Sequence, residues 1–140
     1  MSIKFESRSV NEAFARQAVG AFASQLDPTM EELGDIKTVV SEAVTNAIVH
    51  GYAGRSGFIT VAVRLFEGRA LEIKIKDTGC GIAPEDQSAV FDRYFHTTAD
   101  KKHDSTGLGL TIAQELAHLH HGEITLQSEV GKGSIFTLRL

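Results

Sequence analysis

The stretch Ser41-Glu-Ala-Val-Thr-Asn-Ala-Ile-Val-His50 sets a carboxylate and a carboxamide four positions apart in an apolar helical pattern. On a helix, Glu42, Asn46 and His50 form one stripe along the edge of the buried face. Glu42 in that position has the chemistry of a general base, and the Asn46 amide oxygen suits a hard cation such as Mg²⁺. The alternative is that both side chains are simply solvated, which is the usual outcome for polar residues at this spacing. The residues predicted to face inward are Ile36, Val39, Val40, Ala43, Ala47 and Ile48.

The composition indicates one domain spanning residues 1–140, because 140 residues with 42% hydrophobic residues suffice for a single core. A net charge of −4 without a basic stripe argues against direct binding to nucleic acid or to an anionic membrane. The single cysteine, Cys80, allows no intramolecular disulfide, and no apolar run approaches the length of a membrane span. The first residues lack a signal-peptide core, so we expect a cytoplasmic protein.

The first third of the chain predicts one strand and two helices. Alternation over residues 3–5 indicates a short strand, and Ser9 or Asn11 is the expected cap of the first helix. The sequence Asp27-Pro-Thr29 predicts the start of the second helix, with Asp27 as its cap and proline at its first position. The apolar periodicity of this helix continues to about Ala47.

The middle of the chain changes to period two. Alternation over 59–63 and again over 71–75 predicts two antiparallel strands joined by a turn at Glu67-Gly68. A short helix is expected from Asp86 to Tyr94. The polar, aperiodic residues that follow predict a lid loop at about 95–106.

The turn Asp77-Thr-Gly-Cys-Gly81 follows the second of these strands directly. An ionised Asp77 accepts hydrogen bonds only, which suits the exocyclic amine of adenine, and the two glycines permit a flat ring to approach the backbone. The alternative is an ordinary turn at a strand end.

A second glycine turn, Thr106-Gly-Leu-Gly-Leu110, leads into a helical pattern. Unpaired backbone N–H groups at a helix start favour phosphate. This helix is expected to end at Gly122 in a left-handed conformation, before two further strands. The whole order predicts an α/β two-layer sandwich: a mixed, largely antiparallel sheet with three helices on one face.

The three motifs in this order resemble the N box and the two glycine boxes of the GHKL superfamily (gyrase, Hsp90, histidine kinase and MutL ATPases). The stretch Phe91-Asp-Arg-Tyr-Phe95 is similar to the F box of histidine kinases. The resemblance covers nearly the whole chain and implies the Bergerat ATP-binding fold, with ATP or ADP and Mg²⁺ as cofactors.

The two halves of the chain resemble different members of that superfamily. The residues up to about Tyr52 look like the sporulation anti-sigma factor that is also a serine kinase, whereas those after about Ile75 resemble a histidine-kinase ATP-binding domain. A divergent natural homologue and an engineered hybrid, or chimera, joined around residues 60–76 are both compatible with this pattern.

The resemblance also implies site roles. Glu42 would be the catalytic base, Asn46 the Mg²⁺ ligand, and Arg16 a partner contact. Lys101 and Lys102 in the lid would reach the phosphates, although a basic pair in a polar loop is more often solvated. The other residues implied to bind nucleotide are Asp77, Gly79, Gly81, Ile82, Thr106, Gly107, Leu108, Gly109 and Leu110.

Two functions remain open at this point. The first half implies a dimeric, ATP-binding anti-sigma factor that binds a sigma factor and phosphorylates an anti-anti-sigma protein on serine. Glu42 favours a serine kinase or a weak ATPase, because a hydroxyl or water needs a base whereas imidazole does not. The alternative is a stand-alone or hybrid ATP-binding domain of histidine-kinase type with little or no kinase activity.

Overall fold

The computed structural model describes residues 1–52, 55–67, 70–92 and 109–140. Five strands form one sheet in the order β1-β2-β3-β5-β4, and each neighbouring pair is antiparallel. The strands are β1 (Ser2–Glu6), β2 (Phe58–Phe66), β3 (Ala70–Asp77), β4 (Glu123–Glu129) and β5 (Gly133–Arg139).

Three longer helices cover one face of the sheet, and α2 lies between α1 and α4. The helical elements are α1 (Val10–Ala23), a 3₁₀ turn (Ser24–Leu26), α2 (Met30–Asn46), a π-helical turn (Ala47–Gly51), α3 (Pro84–Gln87) and α4 (Gly109–Leu119). The predicted two-layer sandwich is confirmed. Over the stretches described, none of these helices has the length and apolar character that a membrane span requires.

The strand register places Asp77 at one end of the core. Ile73 and Ile75 on β3 are buried, and Ile75 pairs with Val61 on β2. Two residues further along β3, Asp77 pairs with Ile59 on one side and with Ser134 on the other. The period of two therefore directs this carboxylate to the helix-covered face, where it is buried.

The second helix begins later than the sequence suggested. Thr29 is its N-cap: the Thr29 hydroxyl accepts from the Glu32 N–H at 3.1 Å, and the Glu32 carboxylate accepts from the Thr29 N–H at 3.2 Å. Asp27 instead has a left-handed backbone (φ 52°) at the end of the 3₁₀ turn. A reciprocal capping box satisfies two helix-end donors, so the expectation of an Asp27 cap with proline at the first helical position was wrong.

The first helix also starts differently from the prediction. Ser9 precedes it but makes no capping hydrogen bond through its side chain. Asn11 instead donates from Nδ2 to the Glu6 carbonyl at 2.9 Å, which ties the helix to the end of β1.

The predicted helix from Asp86 to Tyr94 is shorter than expected. It is α3, and turns follow it up to residue 91. Val90 is buried, and Phe91 packs edge to face on Phe136 with ring centroids 6.3 Å apart. Proline at its first position starts this helix early, and the core contacts of the following residues need only a turn. Tyr94 and Phe95 lie outside the described residues.

The end of α4 is closed by His121 rather than by Gly122. His121 has the left-handed backbone (φ 60°), and the Gly122 N–H bonds to the Ala117 carbonyl at 2.8 Å. A β-carbon on Gly122 would lie 2.1 Å from the Arg139 carbonyl oxygen. Glycine is thus required there by close approach to the last strand and not by its backbone angle.

Candidate functional site

Asp77 is the most deeply buried acidic residue of the site, with 3% of its surface exposed. Its Oδ1 accepts from the Gly79 N–H at 2.9 Å. Burial raises the pKa of the Asp77 carboxyl, and the backbone hydrogen bonds from Gly79 and Ser134 oppose that rise. The Asp77 carboxylate is thereby held in place as a hydrogen-bond acceptor at the end of β3.

The glycines of the turn allow close contact between neighbouring backbone segments. A β-carbon on Gly79 would lie 2.0 Å from the Gly51 carbonyl oxygen, and one on Gly51 would lie 3.2 Å from the Asp77 carboxyl carbon. Gly81 has a φ of 75°, and a β-carbon there would lie 2.2 Å from the Glu129 carbonyl oxygen. No larger residue fits at positions 79 and 81 without backbone movement.

The π-helical turn joins α2 to the glycine turn. The Tyr52 N–H bonds to the Ala47 carbonyl at 3.2 Å and closes the wider turn. The Gly51 carbonyl then accepts from the Cys80 N–H at 2.9 Å, while the Cys80 carbonyl accepts from the Gly131 N–H at 2.8 Å. Cys80 is exposed and serves through its backbone.

Tyr52 is a support of this site that the sequence analysis missed. Its hydroxyl donates to the Phe58 carbonyl and accepts from the Thr78 N–H at 2.8 Å. A β-carbon on Gly57 would collide with the Tyr52 ring. The sequence gives only a weak signal for this role of Tyr52, because its partners Phe58 and Thr78 can be identified only when the strand pairing is known.

The backbone of Ile82 is held by one side chain from β4 and one from α3. The Ser128 hydroxyl accepts from the Ile82 N–H at 2.8 Å and donates to the Gly133 carbonyl at 2.9 Å. The Gln87 amide donates to the carbonyls of Ile82 and Ser128 at 2.9 and 3.0 Å. The predicted nucleotide-facing residue is therefore fixed through its backbone.

Glu42 meets the start of α4. It is half-buried, and a β-carbon on Gly109 would lie 2.4 Å from its Oε2. Burial raises the pKa of the Glu42 carboxyl, and the negative charge of Glu12 raises it further. A carboxylate with a raised pKa is a stronger general base.

Asn46 is the last residue of α2, one turn beyond Glu42, and is half-buried. The two side chains share an edge of the helix, as the spacing predicted. Leu110, by contrast, is 7% exposed and belongs to the core, so only its backbone is available to a ligand. Arg16, on α1, has its Nη1 3.7 Å from Glu12 Oε1.

Among the described residues, the fold thus places Glu42 beside Gly109 and Asp77 beside Gly79. The remaining predicted site residues, Lys101, Lys102, Thr106, Gly107 and Leu108, and the predicted lid lie outside the described residues.

Comparison with known proteins identifies the class. Residues 32–140 match the family of histidine kinase-, DNA gyrase B- and HSP90-like ATPases. The mycobacterial sensor histidine kinase MprB has a similar fold, with a TM-score of 0.66 and 23% identity over 77% of this chain and 72% of that one. The histidine kinase domain of a blue-light activated histidine kinase from Erythrobacter litoralis also has a similar fold, with a TM-score of 0.61 and 22% identity. That comparison covers 92% of this chain and 59% of the other. The chain belongs to this ATPase family.

Within the family, the chain is similar to anti-sigma F factors along nearly its whole length. The anti-sigma F factor of Thermoanaerobacter pseudethanolicus is 42% identical over 96% of this chain and 88% of the relative. The anti-sigma F factor of Clostridium acetobutylicum is 40% identical over 96% of this chain and 87% of the relative. That of Priestia megaterium is 42% identical over 99% of this chain and 90% of the relative.

Proposed function

We propose that this protein is an ATP-binding anti-sigma factor that binds a sigma factor and phosphorylates an anti-anti-sigma protein on serine. The supporting observation is the contact between the Glu42 carboxylate and Gly109, in a chain that is 40–42% identical to anti-sigma F factors over 96–99% of its length. Residues 1–140 would act as one ATP-binding domain.

The residues present fit a nucleotide. Asp77 would accept from the adenine amine, because its carboxylate is buried and is oriented by Gly79. Gly79 and Gly81 pack tightly against the backbone of Gly51 and Glu129, and Ile82 would supply an apolar side chain beside the ring. Bound ATP would supply the transferable phosphoryl group, and Mg²⁺ would neutralise its charge.

The phosphate end of the proposed site would lie at the second glycine turn and the start of α4. Asn46 offers an amide oxygen for Mg²⁺. Gly109 starts α4, and the first N–H groups of a helix, which have no partner within the helix itself, favour anions. The residues we propose to complete the phosphate contacts are Lys101, Lys102, Thr106, Gly107, Leu108 and the backbone of Leu110.

Glu42 would accept the proton of the attacking serine hydroxyl. A hydroxyl near neutral pH is a weak nucleophile, and a carboxylate whose pKa is raised by burial removes its proton more effectively. Without a protein substrate the same carboxylate would activate water, which gives slow ATP hydrolysis. Arg16 on α1 would contact the partner proteins, and we infer a homodimer as the working unit.

A thermal-shift measurement tests the nucleotide site. Saturating Mg²⁺-ATP should raise the melting temperature of the intact protein, since a ligand at 100 times its dissociation constant adds about 2.7 kcal/mol to stability. Asp77→Asn should remove most of that shift while the protein stays folded, because an amide presents a donor where an acceptor is needed. No shift in the wild type would refute the proposal at its first step.

The partner function needs a separate experiment. The protein should capture a sigma factor in an ATP-dependent manner and transfer the γ-phosphoryl group of labelled ATP to a serine of an anti-anti-sigma protein. Retained ATP binding without either partner would instead support a nucleotide-binding domain of histidine-kinase type that lacks the partner function.

A further inference from the structure

Asp77 belongs to a row of polar side chains that crosses three neighbouring strands. It pairs with Ser134 on β5, and Ser134 pairs with Ser128 on β4. Directly paired residues of antiparallel strands point their side chains to the same face of the sheet, so all three side chains face the helix layer. Asp77 and Ser134 are buried, and Ser128 is half-buried. Two serines therefore extend from the proposed adenine acceptor to the edge strand.

The Ser128 hydroxyl joins that row to the glycine turn. It accepts from the Ile82 N–H at 2.8 Å and donates its one proton to the Gly133 carbonyl at 2.9 Å. Ser134 Oγ lies 2.8 Å from Ser128 Oγ. Because the Ser128 proton is already used, the Ser134 hydroxyl is the donor in this contact. One side chain thus holds the end of the turn, the start of β5 and the residue paired with Asp77.

Two more features keep this part of the turn on the hairpin of β4 and β5. Gln87 Nε2 donates to the carbonyls of Ile82 and Ser128 at 2.9 and 3.0 Å. A β-carbon on Gly133 would collide with the Asp77 carbonyl oxygen, so β5 lies directly against the start of the turn. The two glycines between Asp77 and Ile82 permit many backbone conformations. Contacts outside the turn therefore have to fix the separation of these two residues.

We propose that Ser128 and Gln87 are positioning residues for adenine binding, because they hold Ile82 in a fixed place relative to the Asp77 carboxylate. This inference rests on the proposed function, in which Asp77 accepts from the adenine amine and Ile82 packs beside the ring. Neither Ser128 nor Gln87 has to touch the nucleotide. Their contribution is to keep an acceptor and an apolar side chain in register, so that one flat ring contacts both.

A purely structural role is the alternative explanation for Ser128. A hydroxyl that satisfies a backbone N–H contributes to stability wherever in the fold it lies. Loss of the Ser128 hydroxyl would then lower the melting temperature, while the folded protein would bind nucleotide as before. The two roles are separated by the affinity of the folded protein and by the protection of the Gly79 N–H, which donates to Asp77 Oδ1.

The first experiment is equilibrium binding of Mg²⁺-ATP and Mg²⁺-ADP to the intact protein. Ser128→Ala should raise both dissociation constants by the same factor, on the order of tenfold, because the two nucleotides share the adenine and one ordering hydrogen bond is lost. Ser128→Thr, which keeps the hydroxyl, should bind both like the wild type. Ser88→Ala is the matched control, because Ser88 is an exposed serine just after α3. Unchanged dissociation constants in folded Ser128→Ala would overturn the inference.

Kinetics separate adenine positioning from chemistry. In Ser128→Ala, the KM for ATP should rise while kcat at saturating ATP stays within about twofold, because the adenine contacts are the same in the ground state and the transition state. A fall in kcat with an unchanged KM would contradict the role. Gln87→Met, which removes the donor to the Ile82 carbonyl, should change KM in the same direction and decides the question if Ser128→Ala does not fold.

Hydrogen exchange in the nucleotide-free protein keeps this inference distinct from the proposed function. In Ser128→Ala, the N–H groups of Ile82 and Gly79 should both exchange faster, because the two ends of the turn loosen together. Faster exchange at Ile82 alone would confine the effect to one contact and refute the positioning role. If the wild type binds no ATP, the proposed function fails, whereas the exchange of Gly79 still decides whether Ser128 positions Asp77.

Discussion

Gly109 and Glu42 touch across two helices: a β-carbon at residue 109 would lie 2.4 Å from Glu42 Oε2. Gly109→Ala must therefore displace the carboxylate. The obstructing atom is the end of a flexible side chain, so stability should change by less than about 1 kcal/mol. Phosphoryl transfer should fall by about 100-fold, because a shift of about 1 Å at a reacting group has that effect. Chemical denaturation and single-turnover kinetics measure the two quantities.

The matched control for this variant is Gly34→Ala. Gly34 lies within α2, and a β-carbon there would meet nothing within 4 Å. This change should raise stability by about 0.5–1 kcal/mol and leave phosphoryl transfer unchanged. Equal activities of the two alanine variants would contradict the importance of the contact with Glu42.

Glu42→Gln separates binding from chemistry. Glutamine keeps the shape of the side chain but cannot accept a proton, so the thermal shift with Mg²⁺-ATP should persist while serine phosphorylation falls by about 10²–10⁴-fold. Loss of the thermal shift together with activity would assign Glu42 a structural role in nucleotide binding instead.

Gly79→Ala should damage both folding and binding. The added carbon would lie 2.0 Å from the backbone oxygen of Gly51, which cannot rotate away as a side chain can. We expect a loss of about 1–3 kcal/mol in the free energy of unfolding and no nucleotide-dependent thermal shift. Unaltered urea denaturation would show that the two backbone segments separate easily.

The pair of Glu72 and Arg139 predicts a pH dependence of stability. The Arg139 Nε donates to Glu72 Oε2 at 3.0 Å, and this hydrogen bond lowers the pKa of the Glu72 carboxyl below its ordinary value of 4.5. A lowered pKa stabilises the fold above that value, and the contribution is lost as pH falls through the pKa of the folded state.

Glu72→Gln should therefore lower stability at pH 7 by roughly 0.5–1 kcal/mol, a small effect because Arg139 is exposed to solvent. The difference from wild type should disappear on acidification. Glu123→Gln is the control, since Glu123 approaches the same arginine only to 3.7 Å and is itself exposed. A stability difference that is independent of pH would refute the ionic contribution of Glu72.

Periodicity predicted the sheet and the helix layer because buried strands and helices must repeat their apolar residues at fixed intervals. It also placed Asp77 at a strand end. The predicted helix ends were wrong where the backbone conformation of a single residue decides which residue caps the helix. Asp27 and Gly122 are residue types that suit the predicted roles, but Thr29 and His121 have the required backbone conformations.

Contacts between distant residues were not predictable from spacing. Glu12 and Glu42 are thirty positions apart, and only the packing of α1 on α2 brings their charges together. The contact of Tyr52 with Thr78 likewise requires the strand pairing. A hybrid chain is not needed to explain the different resemblances of the two halves, because the similarity to the anti-sigma F factors extends through both halves.

One backbone group, the carbonyl of Gly51 at the end of the π-helical turn, ties that turn to the glycine turn through the Cys80 N–H. The segment that follows Asn46 and the turn that begins at Asp77 are thus linked through backbone groups. The entropy lost in fixing the distance between them is lost when the chain folds and not when a ligand arrives. We therefore expect a nucleotide that contacts both Asn46 and Asp77 to bind without a further entropy cost for ordering these two segments.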